Sequence, residues 1–218
     1  MNKAFIFDLD GIIIDNELMW EEAKKEIYTT LFGEEIYSKM GHTMGMDMPS
    51  IYRRAVELGA NVSLQSMLDE FYRHALNIYA KAPITKGVKR LADSLVKDGY
   101  SIGLVSTSPM DWINRVINRL SFKEKITVII SLEDSPELQK KPEPDGYLKA
   151  MKDLKVAPSS TIILEDSNSG IAAAKASGAF TIAFTQNLVH DYKQIVADAK
   201  AANMEEVMKI MKNHSLKS

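Results

Sequence analysis

Two aspartates, Asp8 and Asp10, close the apolar run Ala4-Phe5-Ile6-Phe7 near the start of the chain, and Gly11 follows them. A second acidic pair, Glu165-Asp166, closes the run Thr161-Ile162-Ile163-Leu164 and leads into Ser167-Asn168-Ser169-Gly170. Between these pairs stand a hydroxyl cluster, Ser106-Thr107-Ser108, and a lysine on a proline-stiffened stretch, Lys141-Pro142-Glu143-Pro144-Asp145. Taken singly, each has a plain structural reading. Acids at a strand tip serve as turn residues, a serine is a turn hydroxyl, a lysine is a surface amine, and Glu165 and Asp166 could cap the next helix. Gathered on one rim, they can do more. Carboxylates that face one another repel, and a bound hard cation compensates; oxygen ligands without thiolates suit Mg²⁺. A lysine, a hydroxyl and the start of a helix beside that cation would make a phosphate pocket. Ser108-Pro109-Met110-Asp111 fits a capping box with proline at the first helical position, so backbone N–H groups there would face an anion.

The elements that must position these groups follow from the apolar pattern. Ala4–Phe7, Ser101–Val105, Thr127–Ile130, Thr161–Leu164 and Thr181–Phe184 are short apolar runs that read as buried strands. From residue 83 onward they alternate with helical stretches, which predicts an α/β fold: a Rossmann-like parallel sheet with helices on both faces. In such sheets ligands bind at the carboxyl ends of the strands, where all four polar groups fall. Ile12-Ile13-Ile14 could prolong the first strand or open a hairpin-like flap. Segments 16–32, 48–59 and 64–80 instead carry apolar residues at three- and four-residue spacing, as in Trp20, Ala23, Ile27 and Leu31. Three or four amphipathic helices are expected there, interrupted at Gly33, Gly41, Gly45 and the Met48-Pro49 step. The chain therefore reads as an α/β core, 1–15 and 83–218, with a helical cap domain, 16–82, inserted after the first strand. The connections near 14–17 and 80–86 would form a paired hinge.

Composition narrows the function classes. With 27 basic and 29 acidic residues among 218, the net charge of -2 provides no field for a nucleic-acid backbone. Cysteine is absent, which excludes disulfides, thiolate catalysis and cysteine-bound zinc. An acidic residue at position 8 interrupts any secretory signal, and no apolar run reaches membrane-spanning length. A cytoplasmic monomer acting on a small phosphorylated metabolite, with no nucleic-acid or membrane partner, is the expectation.

The four clusters, in this order, resemble the signatures of the haloacid-dehalogenase-like hydrolases, in the phosphatase and β-phosphoglucomutase-like group with a helical cap. Phe7-Asp8-Leu9-Asp10-Gly11 with Asp15-Asn16-Glu17 is similar to the first signature, Val105-Ser106-Thr107-Ser108 to the second, Lys141-Pro142-Glu143-Pro144-Asp145 to the third, and Leu164-Glu165-Asp166-Ser167-Asn168-Ser169-Gly170-Ile171 to the fourth. The resemblance implies that Asp8 is the nucleophile and becomes an aspartyl phosphate. Asp10 would protonate the leaving alcohol and then activate water. Asp8, the Asp10 carbonyl and Asp166 would ligate Mg²⁺, with Glu165 ligating directly or through water. Ser106 and the Thr107 N–H would hold phosphoryl oxygens, Ser108 would add a donor, and Lys141 would offset the charge. Glu17 and His42, the latter in a stretch similar to the cap specificity loop, would contact substrate.

Asp10 also bears on subclass, because the dehalogenases and phosphonatases of the superfamily characteristically lack an aspartate at that spacing. The imine-forming cap lysine of phosphonatases has no clear match: Lys24, Lys25 and Lys39 read as helix surface. The β-phosphoglucomutases carry a histidine shortly after the acid matched by Glu17, where this chain has Leu18-Met19-Trp20. The resemblance therefore implies Mg²⁺-dependent phosphate ester hydrolysis; mutase-like phosphoryl transfer between sugar hydroxyls, and an inactive binding module, are the alternatives.

Overall fold

The computed structural model describes residues 2–41, 48–190 and 192–215. They form two compact units, one of Met1–Glu17 with Ala82–Ser218 and one of Leu18–Lys81.

The first unit is built on a six-stranded parallel sheet: β1 (Lys3–Phe7), β2 (Tyr100–Ser106), β3 (Ile126–Ser131), β4 (Thr161–Glu165), β5 (Phe180–Phe184) and β6 (Ala199–Ala201), in the order β3-β2-β1-β4-β5-β6. Phe7 pairs with Leu104 on one side and with Leu164 on the other. The chain thus leaves β1 in one direction and returns on its far side. That makes the β1–β4 boundary a switch point, where a crevice opens at the strand ends. Because β1, β2 and β4 have neighbours on both edges and helices against their faces, they are buried almost throughout, which is why their sequences are apolar without alternation. The α/β fold class expected from the sequence is the one observed. β6 is the strand that the sequence reading missed: three residues, only one of them buried, carry too little apolar signal to register.

In the helical unit, the described residues form α1 (Glu17–Phe32, its first residue in the other unit), α2 (Glu34–Met40), α3 (Met48–Glu57) and α4 (Leu64–Lys81). Gly33 and Gly41 bound α2 with positive φ, as breaks at glycine require. The Met48-Pro49 step does not interrupt. It opens α3, where proline in the first turn forfeits no helical hydrogen bond. Trp20 stacks on Phe71 and meets Tyr79 edge-on, with ring centres 6.3 and 6.4 Å apart, and Met40 is fully buried. Trp20 therefore packs helix on helix. Lys39 pairs with Glu35 on an exposed helix face, and Lys25 is exposed.

The remaining helices belong to the first unit: α5 (Val88–Lys97), α6 (Met110–Ile117), α7 (Asp145–Leu154), α8 (Asn168–Ala176) and α9 (Met204–Ser215). α7 packs on β1, β2 and β3, and α8 on β4 and β5. Ile6, Val105, Ile130, Ile163, Tyr147 and Ala173 meet in the core between them. Ile12-Ile13-Ile14 neither prolongs β1 nor forms a hairpin. The backbone coils so that all three N–H groups turn to the Leu9 carbonyl, and Ile14 bridges antiparallel to Ile84. The N–H of Asp15 donates to the Pro83 carbonyl and that of Thr85 to the Ile13 carbonyl, each at 2.9 Å. The two connections are thereby paired backbone to backbone.

Ile6 is completely buried on the central strand. Ile6→Ala is expected to cost about 2–5 kcal/mol, read as a lower urea midpoint at unchanged slope. Val196→Ala, at a side chain 89% exposed, should stay within about 0.5 kcal/mol. Equal midpoints for the two variants would contradict the placement of the core.

Candidate active site

Asp8 is the first residue past β1, and its N–H still donates to the Leu164 carbonyl at 3.1 Å, so the sheet fixes its backbone. Ser106 ends β2 and Glu165 ends β4. Asp166 follows at once. Lys141 arrives on the loop ahead of α7 and lies within this buried group, with its ammonium 2.5 Å from Asp8 Oδ1 and 2.6 Å from Glu165 Oε1. Asp8, Glu165 and Asp166 each offer an oxygen within 4.8 Å of the others, and all three are buried.

Such crowding requires missing side chains. Gly11 has a φ of +69°, and a Cβ placed on it would stand 1.8 Å from Asp166 Oδ2. A Cβ on Gly170 would stand 1.7 Å from Glu165 Oε1. Glycine is thus the condition for both carboxylates to lie where they do. Asn187, from the loop after β5, donates its Nδ2 to the Gly11 carbonyl at 2.9 Å and to Thr85 Oγ1 at 2.7 Å, which pins the turn.

The charges are unbalanced. Asp8 and Glu165 share Lys141, while Asp10 and Asp166 add two further carboxylates to the group. Burial opposes the charge on Lys141, but Asp8 and Glu165 outweigh it and hold the ammonium's pKa well above its usual value. Burial pushes the Asp8 carboxyl well above the carboxylate range; Lys141 pulls it back, while Glu165 and Asp10 push it further. Asp166 is raised by burial and then by Glu165, Asp8, Glu17 and Asp10. Glu17, half-buried at the start of α1, is one more negative charge near this group. Tyr147 is likewise held neutral, by burial first and then by Glu165.

Hydrogen bonding separates the carboxylates by role. Glu165 Oε2 accepts from the N–H groups of Asp166 and Ser167 and from Ser167 Oγ, while Oε1 accepts from Lys141 Nζ and Tyr147 Oη. Five donors exceed the roughly four lone-pair positions of a carboxylate. Among the described residues, Glu165 thus carries more donors than Asp8 or Asp166. Asp8 Oδ2 and both oxygens of Asp166 accept no hydrogen bond from the described residues, although both side chains are buried. Buried anionic oxygens without donors fit a hard cation.

Asp10 lies on the same rim with each oxygen occupied: Asn16 Nδ2 donates to Oδ1 at 2.5 Å and Ser108 Oγ to Oδ2 at 2.9 Å. The Ser108 hydroxyl thus serves Asp10. It does not cap α6. Pro109 holds that position, and the Met110 N–H donates to Asp134 Oδ2, from the loop after β3, at 2.5 Å. A side chain distant in sequence has displaced the local capping box. Ser106 is fully buried; its Oγ accepts the Ser108 N–H at 3.0 Å and keeps its own proton to give. Thr107 between them is exposed. His42 lies outside the described residues, as does Gly45. α8 begins with Ser167 as its cap, accepting from the Gly170 N–H at 3.0 Å, so Glu165 and Asp166 do not cap it.

This chain belongs to the haloacid dehalogenase-like hydrolase family, whose profile matches residues 5–184. It is a hydrolase of that class, with a buried acidic cluster able to hold a metal. It is 27% identical to hexitol phosphatase B of Escherichia coli K12 over 212 residues, covering 94% of this chain and 93% of that protein. It is also 27% identical to β-phosphoglucomutase of Bacillus subtilis over 195 residues, covering 84% of each. The fold matches the crystal structure of β-phosphoglucomutase from Clostridium difficile with a TM-score of 0.73 at 23% identity, over 100% of this chain and 99% of that one.

Because the folded Asp166 carboxyl keeps its proton to higher pH than the unfolded chain would, the folded state binds the extra proton above the ordinary carboxylate range. Stability of the cation-free protein must then fall as pH rises through that window. Asp166→Asn removes the penalty. In EDTA near neutral pH it is expected to raise the thermal midpoint by about 2–4 °C, the shift for about 1 kcal/mol in a chain of this size. Millimolar Mg²⁺ is expected to stabilise the wild type, and the same variant to lose that response. Calorimetry showing an unchanged midpoint, or an undiminished Mg²⁺ response, would contradict this reading of Asp166.

Proposed function

We propose that the protein hydrolyses a small-molecule phosphate monoester, with Mg²⁺, through an aspartyl phosphate on Asp8. The observation that carries the reading is the state of that carboxylate: one oxygen held by Lys141, the other without a donor, at the end of the central strand beside Asp166. We read the inserted helices as a cap domain, 16–82. The likeness to hexitol phosphatase B over nearly the full length of both chains favours a phosphorylated polyol or sugar as substrate.

The Asp8 carboxylate attacks phosphorus through one oxygen, a new P–O bond forms, and the bond from phosphorus to the ester oxygen breaks. Asp10 gives its proton to the departing alkoxide. The Ser108 hydroxyl can donate or accept, so Asp10 Oδ2 can gain or release that proton without losing its partner. Ser106 Oγ, its acceptor side filled by the Ser108 N–H, directs its proton at a phosphoryl oxygen. Lys141 lowers the repulsion between the attacking carboxylate and the phosphoryl dianion. In the second half-reaction Asp10 takes a proton from water, the water oxygen bonds to phosphorus, and the bond to Asp8 breaks to release inorganic phosphate. Held by Asp8 and Asp166, with the Asp10 carbonyl as the further expected oxygen, Mg²⁺ would supply positive charge against the phosphoryl oxygens.

A second reading, phosphoryl transfer between sugar hydroxyls, is favoured by the equal identity to the B. subtilis β-phosphoglucomutase. Incubation with β-glucose 1-phosphate separates the two: the hydrolase reading expects free phosphate, and predominant glucose 6-phosphate would overturn it. In a Mg²⁺-dependent screen of phosphorylated polyols and sugars, Asp8→Asn should lower kcat by about 10³-fold or more, because an amide is a poor nucleophile. Retained turnover in folded Asp8→Asn, or full activity in EDTA, would defeat the mechanism.

A further inference from the structure

Tyr147 stands inside the buried cluster, yet the reaction above gives it no part. It lies on α7 with 1% of its surface exposed. Its hydroxyl donates to Glu165 Oε1 at 2.9 Å, the same oxygen that accepts the Lys141 ammonium at 2.6 Å. The ammonium also stands 5.2 Å from the centre of the tyrosine ring. The side chain therefore touches both partners of the ion pair through different parts: oxygen to the acid, ring face to the cation.

We propose that Tyr147 is a positioning residue, whose hydroxyl occupies Glu165 Oε1 so that the Lys141 ammonium is shared with Asp8 and not drawn wholly to Glu165. The two acceptors compete at nearly equal distance, 2.5 Å to Asp8 Oδ1 and 2.6 Å to Glu165 Oε1. A hydrogen bond donated to one of them lowers its pull on the ammonium and leaves the other's intact. The other three donors to Glu165, the N–H groups of Asp166 and Ser167 and Ser167 Oγ, all serve Oε2. Among the described residues, Tyr147 is thus the donor that tempers Oε1 besides Lys141 itself. Without the hydroxyl, Glu165 Oε1 becomes the stronger acceptor and the ammonium moves away from the nucleophile. The catalytic consequence rests on the proposed phosphatase reading; the placement of the ammonium does not.

Packing cannot substitute for this role, because phenylalanine would keep the ring against the core and against Lys141. Tyr147→Phe isolates the hydroxyl. The test follows the side-chain ammonium signal of Lys141 in the full chain by ¹H–¹⁵N correlation, assigned by its loss in Lys141→Arg, and measures turnover of p-nitrophenyl phosphate with Mg²⁺. Tyr147→Phe should move the ammonium signal and lower kcat about tenfold, in the range of losses from residues that orient a reacting group. KM should change by less than about twofold, since the loss falls on the reacting step. An unmoved signal overturns the proposal, and so does a moved signal with unchanged kcat. A wild-type protein inert toward the probe would count against the phosphatase reading, and the ammonium signal would then decide the role of Tyr147 alone.

Discussion

One ammonium among four carboxylates is the constraint around which this protein is arranged. Two unit charges about 4 Å apart repel by about 4 kcal/mol at the effective dielectric typical of proteins, and burial adds to the cost. Lys141 removes part of that repulsion for Asp8 and Glu165, whereas Asp166 forms no ion pair among the described residues. A fold selected for stability alone would not gather these groups. Here the imbalance is useful, because a site short of positive charge takes up a cation and brings that charge to wherever phosphate will sit. The negative cluster and the anionic substrate it would attack are reconciled through the same ion.

The rest of the structure reads as what holds that arrangement together. The central strand presents Asp8 with its backbone locked to β4, at the switch in strand order. Gly11 and Gly170 remove the two Cβ atoms that would collide with Asp166 and Glu165. Asn187, Asn16 and Ser108 fix the turn between β1 and α1 from three directions. A relay behind Ser108 extends this support: the single Ser131 hydroxyl proton is shared between the Ser108 carbonyl, 2.8 Å away, and Asp134 Oδ2, 3.0 Å away, and Asp134 anchors the start of α6. Neutral donors thus carry much of the work of orientation, and Lys141 is left to answer charge with charge.

Much of this was legible in the sequence, for physical reasons that differ by element. β1, β2, β4 and β5 are dense apolar runs, and a strand buried on both faces can hardly be anything else. The polar groups at their ends were legible as a site because parallel sheets collect such ends on one rim. β6 was not legible: an edge strand of three residues leaves no apolar signature. The capping box at Ser108 failed for a different reason. Its local chemistry was sound, but Asp134 and Asp10, 24 residues after Met110 and 98 residues before Ser108, offered competing partners that only the folded chain brings near. Tyr147 and Asn187 escaped notice on similar grounds. An apolar-patterned helix gives no hint that one hydroxyl points at a buried acid, and a loop asparagine looks like any other until its amide meets the Gly11 carbonyl. The crowding of donors on Glu165 likewise depends on Lys141 and Tyr147 arriving from another segment to join three donors from Asp166 and Ser167.

A cation joining Asp8 to Asp166 is tested most directly by anomalous scattering from crystals grown with Mn²⁺ in place of Mg²⁺. The predicted result is a single strong peak within about 2.0–2.3 Å of one carboxylate oxygen from each of the two aspartates, distances usual for small hard cations, with Glu165 still bonded to Lys141 and Tyr147. A peak coordinated by Glu165 without Asp166, or an absence of density between the two aspartates at saturating Mn²⁺, would contradict it.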